Sequence, residues 1–282
     1  MARKSGRNII RMKQRLFGCL FGAMLAVSLT AAHADDYEKS AKAHPFYQAI
    51  LDVSKTMSGK PLIDYLNLRM QEDATRVPVV SLWLRDNSIN EDDGRRLQSL
   101  YFLAYSETLA AIADGERETG NPGAYRDLLE TAMLNLHIFE LMASVDAARC
   151  QDQTARDAIR NMMTQRYDMF RTAYRTFPRQ IFDTIEKTAL QHEEKFLARS
   201  PNADICQMGK SYIIDLSKVP GVERKTIDDP LQPGRRKMVL VPPAGYVYVP
   251  GFVSDKQWLA MRKDVIKDVT AGWAKRYQSA IE

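Results

Sequence analysis

The stretch "PGAYRDLLETAMLNLHIFELMASVDAARC", Pro122 to Cys150, decides how the rest of the chain is read. Proline opens it at a position where a helix needs no N–H. Leu129, Ala132, Leu136, Phe139 and Ala143 then recur at helical spacing. A cysteine closes it. Two further helical patterns follow: one from about Thr154 to Thr176, carrying Ile159, Met162, Met163, Met169, Phe170 and Ala173, and one from Pro178 to about Arg199, carrying Phe182, Ile185, Ala189 and Phe196. Cys206 lies just beyond the stop at Pro201. If the three helices run down, up and down, the ends of the first and third lie side by side and Cys150 can reach Cys206. The second and third are matched at roughly 33 Å each. A continuous helix through Pro178 would hold the two cysteines about 60 Å apart and forbid the bond. The bridge would close a loop of about 55 residues and stabilise by roughly 4 kcal/mol in the chain-entropy model. A redox-switch reading is disfavoured, because the spacing is far from Cys-x-x-Cys and no basic cluster marks an activated thiol.

Upstream, Pro45 opens a helix to about Met57. Pro61 opens another, with Leu62, Tyr65, Leu66 and Met70 in phase. Pro78 begins a short apolar piece through Leu84. Asn90, followed by Glu91 and Asp92, caps a helix to about Asp114 whose body is apolar nearly all round, which marks it as central. Downstream of Cys206 the texture changes. "SYIIDL" (Ser211–Leu216) reads as a short strand. "KMVLV" and "GYVYV" read as a hairpin joined through Pro242-Pro243-Ala244-Gly245. Ser254 or Asp255 caps a last helix to Ile281. The fold class that follows is mainly α: an antiparallel helical bundle over 35–205, then a region, 206–282, holding a small β-hairpin and a C-terminal amphipathic helix packed on the bundle.

The first 34 residues read as a secretory signal peptide. Arg3, Lys4, Arg7, Arg11, Lys13 and Arg15 precede an apolar run from Leu16 to Leu29, and Ala32-His33-Ala34 ends it. At about 21 Å the run falls short of a ~30 Å hydrocarbon core. Cys19 sits at the wrong end of the run for lipid attachment. The expected cut lies between Ala34 and Asp35 and places the product in a bacterial periplasm; the absence of an Asn-x-Ser/Thr sequon points the same way. No second uninterrupted apolar run suggests a transmembrane span after the signal. The whole chain carries +5, but without the leader 34 basic residues face 35 acidic ones, so the basic balance belongs to the leader and a nucleic-acid partner loses its main support. What remains is uneven: 13 basic against 8 acidic residues from Cys206 onward.

Candidate chemistry is sparse. Glu130, His137 and Glu140 share a stripe with Met133 and Ser144, and Glu107 stands alone in the preceding apolar helix; a carboxylate–imidazole group of this kind could bind a divalent metal or move a proton. The competing reading is a solvent-facing stripe, and only one His-x-x-Glu occurs. His192 reads as a boundary histidine. Met133, Met142, Met162 and Met163 could line an apolar ligand pocket or simply fill the core. Tyr246, Tyr248 and Phe252 are a candidate partner surface, since aromatics give contact area at low entropic cost. The last helix presents Trp258, Val265, Val269 and Trp273 with lysines elsewhere. Arg262 and Arg276 interrupt that apolar arc, so docking on the protein's own core is favoured over a membrane surface. No nucleophile elbow or glycine-rich phosphate loop occurs, and no cofactor is implied. The reading that results is a non-enzymatic binding or assembly protein of the envelope with a protein partner; the alternatives are a metal-dependent protein and an apolar-ligand carrier.

Overall fold

The computed structural model describes residues 38–89, 99–228 and 236–282. The expected signal peptide and the expected cap at Asn90 with Glu91 and Asp92 lie outside the described residues. The chain is mainly helical, with a small antiparallel hairpin and a long final helix. It divides into two compact units: residues through Phe139 with Asp183–Ala189, and Glu140–Phe182 with Leu190–Glu282.

The first unit begins with a helical stretch over 38–43. Then come α1 (Pro45–Ser54), α2 (Gly59–Glu72), a 3₁₀ turn (Ala74–Arg76), α3 (Val77–Ile89), α4 (Ser99–Thr119) and the first part of α5 (Pro122–Ala147). The His44 ring accepts from Phe46 N at 3.1 Å, just ahead of Pro45 in the first turn. The apolar piece at Pro78 is a full helix: proline is tolerated in a first turn, and Val79, Val80, Leu82, Trp83 and Leu84 are all buried. Trp83 meets the Tyr101 ring edge-on at 5.4 Å. α4 passes Asp114 and stops at Gly120, whose φ of +80° suits glycine. Asn121 N donates to Glu116 O at 3.0 Å, and Asn121 Oδ1 accepts from Ala124 N at 3.3 Å, so one residue ends α4 and starts α5. Ser106 Oγ donates to Ala132 O at 2.7 Å, pinning α4 to α5 inside this unit. α8 (Arg179–Lys195) lends Ile185 and Ala189, both buried.

The second unit holds the last turns of α5, the helices α6 (Thr154–Met169), α7 (Arg171–Thr176), α9 (Ala203–Cys206) and α10 (Lys210–Ser217), strands β1 (Glu223–Asp228) and β2 (Arg236–Val241), and α11 (Asp255–Ile281). The helix expected over 154–176 breaks at Phe170, whose backbone leaves the helical region. Cys150 and Cys206 are bonded, with Cα atoms 5.5 Å apart.

Two assignments are corrected here. "SYIIDL" is helical, not a strand. Its first N–H groups are met from upstream: Asp152 accepts from Ser211 N at 2.6 Å and Thr154 Oγ1 from Lys210 N at 2.8 Å. Tertiary capping overrides the strand preference of Tyr-Ile-Ile. Gly209 is required there, because a Cβ would collide with the Asp152 carboxylate. The hairpin does use "KMVLV", but its partner strand is Glu223–Asp228, with Lys225 opposite Val239 and Thr226 opposite Met238. "GYVYV" joins no ladder: Pro242 and Pro243 stop the strand, and Tyr246 N closes a turn onto Pro243 O at 3.1 Å.

α11 starts with a capping box between Ser254 and Gln257. Trp258 Nε1 donates to Val145 O at 3.1 Å, and Val145, Ala148, Trp258 and Val265 form one buried cluster. The apolar face of α11 is thus buried on the end of α5, within this unit.

Candidate functional site

The expected metal set does not assemble. Among the described residues, no three His, Cys, Asp or Glu side chains are placed to hold an ion. Glu107 and Glu130 are half-buried on α4 and α5. His137 is fully buried, and its Nδ1 lies 2.9 Å from Met133 O one turn back. Glu140, only 6% exposed, belongs to the second unit. The alternative of a solvent-facing stripe is equally overturned for His137 and Glu140.

Glu140 is instead the acceptor of a buried donor set. Tyr167 Oη donates at 2.7 Å, Trp273 Nε1 at 2.5 Å and Arg276 Nη2 at 2.7 Å, all to Oε2. The Arg276 guanidinium also lies 3.8 Å above the Tyr167 ring. Burial, with the Glu140 charge adding to it, pushes the Tyr167 phenol well up, and burial pushes Tyr174 up beside it. Burial works against the charge on Arg276, but Tyr167 and Glu140 outweigh it and hold the guanidinium protonated. A carboxylate oxygen that accepts three donors in this way ties α11 to the end of α5 through directed bonds.

One turn further along α5, a second set centres on Arg199. Its Nε donates to Asp146 at 2.9 Å, and its Nη1 to Glu193 at 3.3 Å and to Phe196 O at 3.1 Å. Arg262 of α11 binds Glu193 on the other side and Glu194 at 2.5 Å. Arg149 donates to Arg199 O at 2.6 Å and lies 3.6 Å over the Trp258 ring. Burial raises the Asp146 carboxyl and lowers the Arg149 guanidinium. The two arginines that interrupt the apolar arc of α11, Arg262 and Arg276, therefore ion-pair with the rest of the unit. Sequence reasoning flagged them as misfits, and the misfit was the signal.

The aromatic candidates are placed differently from expectation. Tyr248 packs edge-on against Tyr212 of α10 at 5.1 Å. Tyr246 and Phe252 are half-buried, and Phe252 pairs through its backbone with Cys150. The residues facing outward are the valines that follow each tyrosine: Val247 is 76% and Val249 82% exposed. His192 lies against the Phe196 ring at 4.7 Å. Met133, Met142 and Met163 are buried core side chains and Met162 is half-buried. α5 is the one described helix long and apolar enough to cross a membrane, and most of its apolar window is buried by protein.

Compared with known proteins, the chain matches no family model, no curated protein and no solved structure.

Proposed function

We propose that this chain is an exported, non-enzymatic binding or assembly protein of the bacterial envelope that engages a protein partner through its 206–282 region. One observation carries the reading: Ile213, Ile214, Met238, Val247 and Val249 are all more than half exposed within a short span of chain. So many exposed apolar side chains in one region of the chain make that region the best candidate for an interaction surface. Every side chain of β1 from Glu223 to Ile227 is exposed, and a lone two-stranded hairpin is marginal in water without a covering layer. The surplus of basic residues in this region suits a partner whose apolar surface is rimmed by acids. Export rests on the basic leader, its short apolar run and the small-x-small exit, and it accords with the joined cysteines.

The test places a photo-reactive residue at Val247 and, as a control, at Leu68 of the first unit, which is also about half exposed. In intact cells the Val247 position should give a discrete protein adduct that Val249→Glu removes. Absence of an adduct, or the same adducts from Leu68, rejects the partner surface. Export is checked separately: the native, non-reduced material should have a mass beginning at Asp35, and a mass that retains Met1 rejects it.

A further inference from the structure

The last turns of α5, the first turns of α6 and the middle of α11 line a cleft of roughly 170 Å³ inside the second unit. Three guanidinium groups line it: Arg156 and Arg160 from α6, and Arg276 from α11. Arg156 and Arg160 are one turn apart on the same helix face, where like charges repel. Their acidic partners are weak. Arg156 meets Asp268 at 3.9 Å and Arg160 meets Asp157 at 3.5 Å, and those acid side chains are 65% and 68% exposed. Solvent screens pairs of this kind. Arg276 is held by Glu140, yet its Nε is buried with no acceptor among the described residues. Its guanidinium lies against Gly272, which leaves the cleft wall open at that point. Val265 and Val269 supply an apolar floor.

We propose that this cleft binds a short-chain organic carboxylate, its charged end held by Arg156, Arg160 and Arg276 and its hydrocarbon end laid on Val265 and Val269. Arginine's planar fork matches a carboxylate through two parallel N–H···O bonds. A monoanion fits better than a phosphate dianion, because Glu140 and Asp268 in the same lining offset two of the three positive charges. The volume is below the roughly 300–1,000 Å³ of drug-sized sites, so the ligand is small. The site is independent of the outward valines, and its test does not involve them.

Calorimetric titration of the exported chain compares hexanoate, hexanol and inorganic phosphate. Hexanoate should bind saturably at one site, with hexanol and phosphate at least about tenfold weaker. The double change Arg156→Gln, Arg160→Gln should weaken hexanoate by tenfold or more while the far-UV spectrum and Tm stay as in the parent. Val269→Trp, which fills the floor without touching an arginine, should abolish binding by itself and serves if the double variant misfolds. No saturable heat with hexanoate, undiminished binding in the double variant or in Val269→Trp, or hexanol binding as tightly as hexanoate overturns the site. Phosphate binding more tightly than hexanoate overturns the carboxylate assignment.

Discussion

Among the described residues the first unit keeps its ion pairs at the surface, although it buries Glu116 beside Asn121; the second buries several of its ion pairs. On α1 and α2, Lys55 pairs with Asp52, Lys60 with Asp64 and Arg69 with Glu72, each within one helix turn and each open to solvent. In the second unit Asp146, Glu193 and Arg199 are almost fully covered, and Glu140 nearly so. The local pairs decorate helices that apolar packing already positions. Glu193 and Arg199 are six positions apart, but the other buried pairs join residues 53 to 136 positions apart. They are costly to leave unmade, and so they fix which face and which register of α11 meets α5. Fixing a register is a task apolar contact performs poorly, since one hydrophobic side chain slides over another at little cost.

The sharpest way to break the comparison is Arg199→Ala. It strands Asp146 in the interior, leaves Glu193 to Arg262 alone, and should destabilise the second unit by about 3–5 kcal/mol, read by chemical denaturation with a near-UV signal from Trp258 and Trp273. A loss below about 1 kcal/mol would mean the buried set is incidental. Replacing both Cys150 and Cys206 by Ala should cost about 2–4 kcal/mol in the same assay, because the open chain regains the entropy of a long loop. Asp152→Asn gives a smaller, pH-dependent effect. Burial works against the Asp152 charge, but hydrogen bonds from Thr154 and Ser211 outweigh it and hold the carboxyl below its usual value. The parent's advantage over the variant should therefore be complete above the unfolded pKa near 4 and be lost as pH falls through the native value. An advantage that grows on acidification contradicts the cap. Lys60→Ala in the first unit should shift Tm by less than about 2 °C. A larger shift would erase the contrast between the units.

What could be read from the sequence divides along the same line. Helix starts at Pro45, Pro122 and Ser254 are local signals, and the structure places them as expected. The Cys150–Cys206 bond was legible because helix lengths constrain where ends can meet. "SYIIDL" was misread because its caps, Asp152 and Thr154, stand more than fifty residues upstream. Strand β1 was missed because "ERKTID" shows no apolar alternation, and its residues 223–227 are all exposed. In the candidate site, the sequence pointed to Glu140 as unusual, but its partners Trp273 and Arg276 lie 133 and 136 residues away and no spacing rule links them. The tyrosines of "GYVYV" drew notice for their chemistry, yet period-two geometry turns the valines out once Tyr248 finds Tyr212.

The link from Glu140 to α11 also sets an order of events during synthesis. When Glu140 is joined to the growing chain, the indole of Trp273 and the guanidinium of Arg276 that bind its carboxylate are still more than 130 residues from being made. The second unit therefore cannot close on a growing chain. Its closure comes late, after nearly all of the polypeptide exists.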